Sequence, residues 1–343
     1  MRAGADNNFD ALRLAFAGLV FAYHLSVLPG IAAWHTVRDV LAVGAELGVQ
    51  GFFVLSGYLV YGSLGSSRSV RDYAGKRVRR LVPAYAMVVV GCALCALIFV
   101  PAARQDPGGV AAYLGWNLAF MNFMAPTLPG VFGDNPMAAV NGSLWTIKVE
   151  VMFYIVLPLL AWLMARGPGW RWGLILVGYG LAEAWRLGFP ALADAVGRPG
   201  LATLAQQLPG QMAFFLAGMA GHFVGRAEFR EAKWLVLALG GLVLSFAVAW
   251  LEPLRAVSLG WVCLALAMGR GRVVDAAQFG DVSYGVYIVH FPIIQTLVAA
   301  GAFAAAPGLA AAGAVGLVLL ASVALWWLIE RPALRPDSAY RRG

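Results

Sequence analysis

Apolar runs of about twenty residues recur from one end of the 343-residue chain to the other, and this recurrence limits the fold more than any other feature. At a rise of about 1.5 Å per residue, a helix of that length spans the hydrocarbon core of a bilayer. The runs are continuous rather than alternately apolar and polar, which points to helices and away from a membrane barrel. Composition agrees: 12% of residues are charged, where a soluble domain carries about 25%.

Ten candidate spans fall at 9–29, 41–64, 81–101, 145–165, 170–187, 205–224, 233–250, 256–269, 282–302 and 308–329. The spans from 170 and from 256 are the weakest, the first because it holds Glu183 and Arg186, the second because it is short. With the N-terminus in the cytoplasm, most of the 25 Lys and Arg gather on the cytoplasmic side. Arg2, Arg13, Arg68, Arg71, Lys76, Arg77, Arg79 and Arg80 lie there, as do Arg166, Arg171, Arg226, Arg230, Lys233, Arg270, Arg272, Arg331, Arg335, Arg341 and Arg342. Arg38, Arg104, Arg186, Arg198 and Arg255 lie outside. This is the positive-inside bias, and losing one span would scramble it. The expected fold is therefore an all-α polytopic membrane protein with about ten transmembrane helices and both termini cytoplasmic. It forms one integral-membrane domain with short cytoplasmic tails at 1–8 and 331–343. The net charge of +8 is then a topology signal, which argues against nucleic-acid binding.

The first span, from Asp10 to Leu28, contains Arg13 and His24. Eleven positions bring the two to within about 20° of one helix face and about 16 Å apart along it. Ionisable groups at such depth are costly, and they face a bundle interior or a wet cavity. Further on, GVQGFFVLSGYLV sets Ser56 and Tyr58 among glycines that permit close backbone approach. The stretch from Ser66 to Ala86 is expected as a cytoplasmic loop, with Lys76, Arg77, Arg79 and Arg80 beside the next span. Such a cluster anchors topology and attracts anionic lipid. It also exceeds what an anchor needs, and Arg77 and Arg80, three apart, suit a phosphate. The connection 102–144, rich in Gly, Pro, Asn and aromatics, is expected as an extracytoplasmic or re-entrant segment with a short helix near 111–121.

In the stretch Asn141–Leu160, Asn141 or Ser143 can cap a helix, Trp145 and Tyr154 are interfacial or site-lining aromatics, and Glu150 needs a partner inside the span. That partner is a buried cation, a substrate, or His24, whose basicity a carboxylate would raise. In FGDVSYGVYIVHFPIIQ, Asp281 reads as a helix cap, Ser283 and Tyr284 stand at a helix start, and His290 is either a core histidine or part of a site. Cys92, Cys95 and Cys263 lie in apolar runs, and the CxxC of the first two lacks His or acidic neighbours, so no metal is expected.

Taken together these phrases resemble the membrane-bound acyltransferase-3 family of multi-pass O-acyltransferases. The resemblance rests on Arg13 with His24, on FFVLSGY (Phe52–Tyr58), on Arg77 with Arg80, on SLWTIKVEVMFY (Ser143–Tyr154), on SYGVYIVHFP (Ser283–Pro292) and on Glu330-Arg331-Pro332. It covers nearly the whole chain and resembles the stand-alone form without an appended extracytoplasmic domain. It implies acyl-CoA, most often acetyl-CoA, as a donor used from the cytoplasm, and a glycan or lipid-linked saccharide as acceptor, in the cytoplasmic (inner) membrane. His24, Arg13 and Glu150 are then the catalytic candidates. Arg77, Arg80 and Lys76 are candidates for the donor phosphates, and Ser56, Tyr58, Trp145, Tyr154, Ser283, Tyr284 and His290 for the lining. His24 would act as general base or be acylated first; the sequence leaves both routes open, as it leaves acyl length, acceptor and oligomeric state. The alternative is an exporter using His24, Glu150 and Arg13 as a proton or anion relay. Against it stand the arginine pair and the lack of broken-helix repeats in the two halves. A non-catalytic membrane partner that kept the fold is the third reading, and the intact Arg13, His24 and Glu150 argue against that.

Overall fold

The computed structural model of the chain describes residues 7–269, 274, 276, 280–336 and 338. Of the residues used in the topology argument, Arg2, Arg270, Arg272, Arg341 and Arg342 lie outside these, as do residues 1–6, 337 and 339–343 of the expected tails.

Among the described residues every regular element is helical. In chain order the helices are α1 (Phe9–Val27), α2 (His35–Gly65), α3 (Val70–Phe99), α4 (Pro101–Gln105), α5 (Pro107–Leu118), α6 (Trp145–Met164) and α7 (Pro168–Ala195). They continue with α8 (Leu208–Ala220), α9 (Ala232–Ala247), α10 (Leu254–Met268), α11 (Ser283–Ala299), α12 (Ala302–Ala305), α13 (Pro307–Leu325) and α14 (Arg331–Ala333). Each of the ten apolar runs forms a helix. Five stretches are long and apolar enough to cross a membrane: Phe9–Val27, Ala32–Gly65, Val70–Phe99, Gly142–Met164 and Pro307–Ala333. Helices α9, α10 and α11 are apolar but shorter.

One boundary changes the reading of the site. The basic cluster expected in a loop stands on α3, which begins at Val70 and runs unbroken to Phe99. Ser69 caps it by accepting from the Asp72 N–H, and nothing before Pro83 opposes a helix. A helix fixes the directions of Lys76, Arg77, Arg79 and Arg80, where a loop would leave them free.

The core is built on α2. Its Gly57 and the Gly218 of α8 let two backbones touch: a Cβ at Gly57 would lie 2.1 Å from the Phe215 carbonyl oxygen, and one at Gly218 would lie 2.0 Å from that of Val54. Small residues at such a crossing are the usual means of close helix association in membranes. Helix α1 packs between α2 and α11, and α11 packs on α13. The charges that weakened the span from 170 are paired inside the bundle. Arg186 on α7 donates to Glu183 at 2.6 Å and to Glu252 at 2.8 Å, and Arg255 on α10 donates to Glu46 on α2 at 2.6 Å. The segment after α5 is laced to α11 by its polar side chains. Asn141 donates to the Ile288 carbonyl, Asn135 to that of Gln295, and Gln295 back to the Met137 and Ala139 carbonyls. The short helix expected near 111–121 is α5, begun earlier by Asp106 as cap and Pro107 as first residue.

Candidate active site

Five helices turn polar side chains into one pocket with an empty volume of about 730 Å³. Arg13 comes from α1, Ser56 from α2, Arg77 and Arg80 from α3, Thr146, Glu150 and Tyr154 from α6, and Ser283, Tyr284 and Tyr287 from α11. Helical spacing accounts for the alignment. Thr146, Glu150 and Tyr154 stand four apart on α6, and Ser283, Tyr287 and His290 share a face of α11.

At the basic end Arg80 is gripped by two carboxylates. Its Nη1 donates to Glu330 and its Nη2 to Asp281, each at 2.6 Å. Asp281 also lies 3.6 Å from Arg13 and accepts from the Ser283 hydroxyl at 2.6 Å. Burial pushes the Asp281 carboxyl up, but Arg80, Arg13 and Ser283 together hold it below its usual range. Asp281 is thus the shared counter-ion of two arginines, and it also bonds the Ser283 backbone at the start of α11, where Val282 is the residue before the helix. Glu330 arrives on a π-helical turn, Trp326–Glu330, at the end of α13. Such single turns re-aim side chains and recur at functional sites. Arg77 donates to Ser63 at 3.2 Å and lies 5.8 Å from the centre of the Tyr154 ring.

Glu150 sits deeper. It accepts from Ser56 at 3.0 Å and from the Tyr154 hydroxyl. The partner considered for it, His24, is elsewhere. On its side toward His290 the pocket has Tyr287 as its floor, in ring contact with Phe52 and with its hydroxyl bonded to that of Thr146 at 2.7 Å. The Tyr287 ring centre is 6.0 Å from that of His290. His290 in turn meets His24 across the α1–α11 contact, with His24 Nδ1 and His290 Nε2 2.8 Å apart and the rings stacked at 5.0 Å. The imidazole pair therefore lies about one helical turn beyond the floor of the pocket and is not part of its lining.

The structure thus gathers Arg13, Ser56, Arg77, Arg80, Glu150, Tyr154, Ser283 and Tyr284 into one pocket and joins His24 to His290 behind it. Three candidates stand apart. Lys76 pairs with Asp72 at 3.0 Å and donates to Ser67, away from the pocket. Tyr58 stacks on Phe9 and on His222, whose Nε2 bonds the Tyr58 carbonyl. Trp145 is half-buried against the apolar core. Sequence reasoning missed Asp281 as counter-ion, Glu330 as latch, and Thr146 with Tyr287 as floor. The three-and-four spacing of Thr146 with Glu150, and of Tyr287 with Ser283 and His290, was the signal available for the last two.

A family model described as an acyltransferase domain matches residues 6–331. Nodulation protein 10 of Rhizobium leguminosarum bv. viciae is 28% identical, the alignment covering 97% of this chain and 94% of that protein. Peptidoglycan O-acetyltransferase OatA of Listeria monocytogenes is 27% identical over 44% of this chain and 23% of its own length. The O-acetyl transferase of Shigella phage Sf6 is 24% identical over 85% of this chain and 86% of its own. No solved structure matches the chain.

Proposed function

The chain belongs to the acyltransferase-3 family, and from that premise we propose that it moves an acetyl group from acetyl-CoA, taken up from the cytoplasm, to a hydroxyl of an exported or lipid-linked glycan. Arg77 and Arg13 draw the anionic donor into the basic end, and Arg80, fastened by Asp281 and Glu330, keeps that wall in shape. The pantetheine arm lies along Ser56, Glu150 and Tyr154. The thioester passes the floor when the Tyr287–Thr146 hydrogen bond opens. At His24 the acceptor oxygen attacks the thioester carbon as the C–S bond breaks. The hydroxyl proton goes to the imidazole and from there to the departing thiolate. The apolar bundle keeps water from the thioester.

In this reading the ten helices formed by the apolar runs cross the inner membrane, both termini face the cytoplasm, and 102–144 lies outside. The whole forms one integral-membrane domain. Membrane lipid surrounds it and the saccharide reaches His24 from the far side.

The observation that carries the proposal is a single pocket, apolar over most of its wall, that brings polar side chains together from Arg13 and Arg77 to Tyr287 and ends a helical turn from the imidazole pair. A relay for an exporter would need Glu150 in contact with His24, and its partners are Ser56 and Tyr154 instead. The test is transfer of radiolabel from acetyl-CoA to envelope material in inside-out membrane vesicles. His24→Ala is expected to abolish transfer while the protein stays folded and inserted. Retained transfer would remove His24 from the chemistry.

A further inference from the structure

We propose that His290 is a positioning residue for His24: it holds the His24 proton on Nδ1 and so makes Nε2 the atom that accepts the proton from the acceptor hydroxyl. The inference deepens the reading of His24 as the base, and rests on it.

A chain of hydrogen bonds runs from the α11 backbone through His290 to His24. His290 Nδ1 lies 3.0 Å from the carbonyl oxygen of Val286, one turn back on α11. A carbonyl only accepts, so His290 Nδ1 carries a hydrogen. A neutral imidazole has one N–H, which leaves a lone pair on His290 Nε2. That nitrogen is 2.8 Å from His24 Nδ1. Two lone pairs do not meet at such a distance, so His24 Nδ1 donates and His24 Nε2 is bare. The neutral state of both rings follows from their surroundings. His290 is wholly buried, against Phe21, Tyr287 and Phe291. No carboxylate pairs with either ring among the described residues. A charge placed there in the resting protein would be desolvated without compensation.

The two rings have different access. His24 is half-buried while His290 is sealed, so His24 is the less enclosed of the two. An isolated core histidine needs no ring-to-ring bond across two helices. Here the bond, together with a backbone hydrogen bond of the His24 ring to Val20 one turn back, sets which His24 nitrogen is reactive, and Phe291 packs edge-on against the His24 ring at 5.1 Å to fix its plane. When Nε2 takes the hydroxyl proton, the charge on His24 is stabilised through Nδ1–H by the His290 lone pair. His290 keeps its own hydrogen on Val286, so it orients and stabilises without exchanging a proton with substrate. An imidazole thereby fills the place that a carboxylate or carbonyl holds behind many catalytic histidines.

The chain has four histidines, His24, His35, His222 and His290, so NMR of isotope-labelled imidazole nitrogens in the detergent-solubilised full chain can be assigned by single substitutions. His24 in the unaltered protein is expected to carry its hydrogen on Nδ1, and in His290→Leu to move it toward Nε2. In the vesicle assay with acetyl-CoA, His290→Leu is expected to lower the maximal rate about 100-fold with KM for acetyl-CoA held within about twofold, as loss of a group acting through general-base chemistry does. His290→Gln, whose amide oxygen accepts from His24 Nδ1, is expected to restore the rate to within about tenfold of the unaltered protein. A His24 hydrogen on Nε2 in the unaltered protein overturns the proposal without any variant having to fold. So does a His290→Leu protein that keeps its full rate. If His24→Ala itself remains active, the reading of His24 as base fails; if His24→Ala is inactive and His290→Leu is active, the positioning role alone fails.

Discussion

Replacing Arg80 by Met tests the latch at the basic end. The change keeps most of the side-chain volume and removes the charge. Asp281 still has Arg13 at 3.6 Å and Ser283 at 2.6 Å. Glu330 is left worse off: its Oε2 loses the 2.6 Å bond to Arg80, and its Oε1 has no hydrogen-bond partner among the described residues. The Glu330 side chain is 1% exposed and that of Arg80 10%, so water does not replace the missing partner. Two unit charges about 4 Å apart at an effective dielectric near 20 attract by about 4 kcal/mol. Removing one member of a buried pair costs about 3–5 kcal/mol. The two figures agree, and they correspond to a loss of about 150- to 4,000-fold in the folding equilibrium. Glu330→Leu leaves Arg80 on Asp281 and is expected to cost less. The double variant Arg80→Met, Glu330→Leu removes both charges and is expected to recover about 2 kcal/mol of the sum of the single losses. The assay is a double-mutant cycle on detergent-solubilised protein, unfolded by SDS titration. Losses that add to within about 0.5 kcal/mol would refute a coupled latch.

Three further expectations rest on other parts of the molecule. Arg77→Ala is expected to raise KM for acetyl-CoA about 10–100-fold, the worth of a charge-assisted hydrogen bond, and to leave the maximal rate nearly unchanged; an unaltered KM returns α3 to a topology role. Thr146→Leu fills the floor between the pocket and the imidazole pair, and is expected to cut the maximal rate at least about tenfold while acetyl-CoA still binds; full turnover would show that the thioester does not pass there. Gly57→Ala puts a methyl 2.1 Å from a backbone oxygen of α8 and is expected to cost about 1–3 kcal/mol by forcing the helices apart, read as a lowered thermal midpoint in size-exclusion assays; an unchanged midpoint would mean the α2–α8 contact is looser than drawn.

Helices were legible because hydrophobic runs and helix periodicity are local properties. Every apolar run from 9 to 329 became a helix, and the run from Asp10 to Leu28 put Arg13 and His24 on one helix as spacing required. The start of α3 was misread because hydropathy marks where a helix becomes apolar rather than where it begins. Lys76, Arg77, Arg79 and Arg80 are polar and helical at once. The capping Ser69, with Asp72 three residues on, was the local signal.

The sequence by itself determined an all-helical acyltransferase of the membrane, with its ionisable residues buried where only partners or a cavity could keep them. Pairing was left to tertiary structure, because a partner is chosen by which helix faces meet, and residues far apart in the chain meet only after packing. Thus Asp281 and Glu330, 201 and 250 positions from Arg80, became its counter-ions, Glu150 settled on Ser56 and Tyr154, and His24 found His290, 266 positions away.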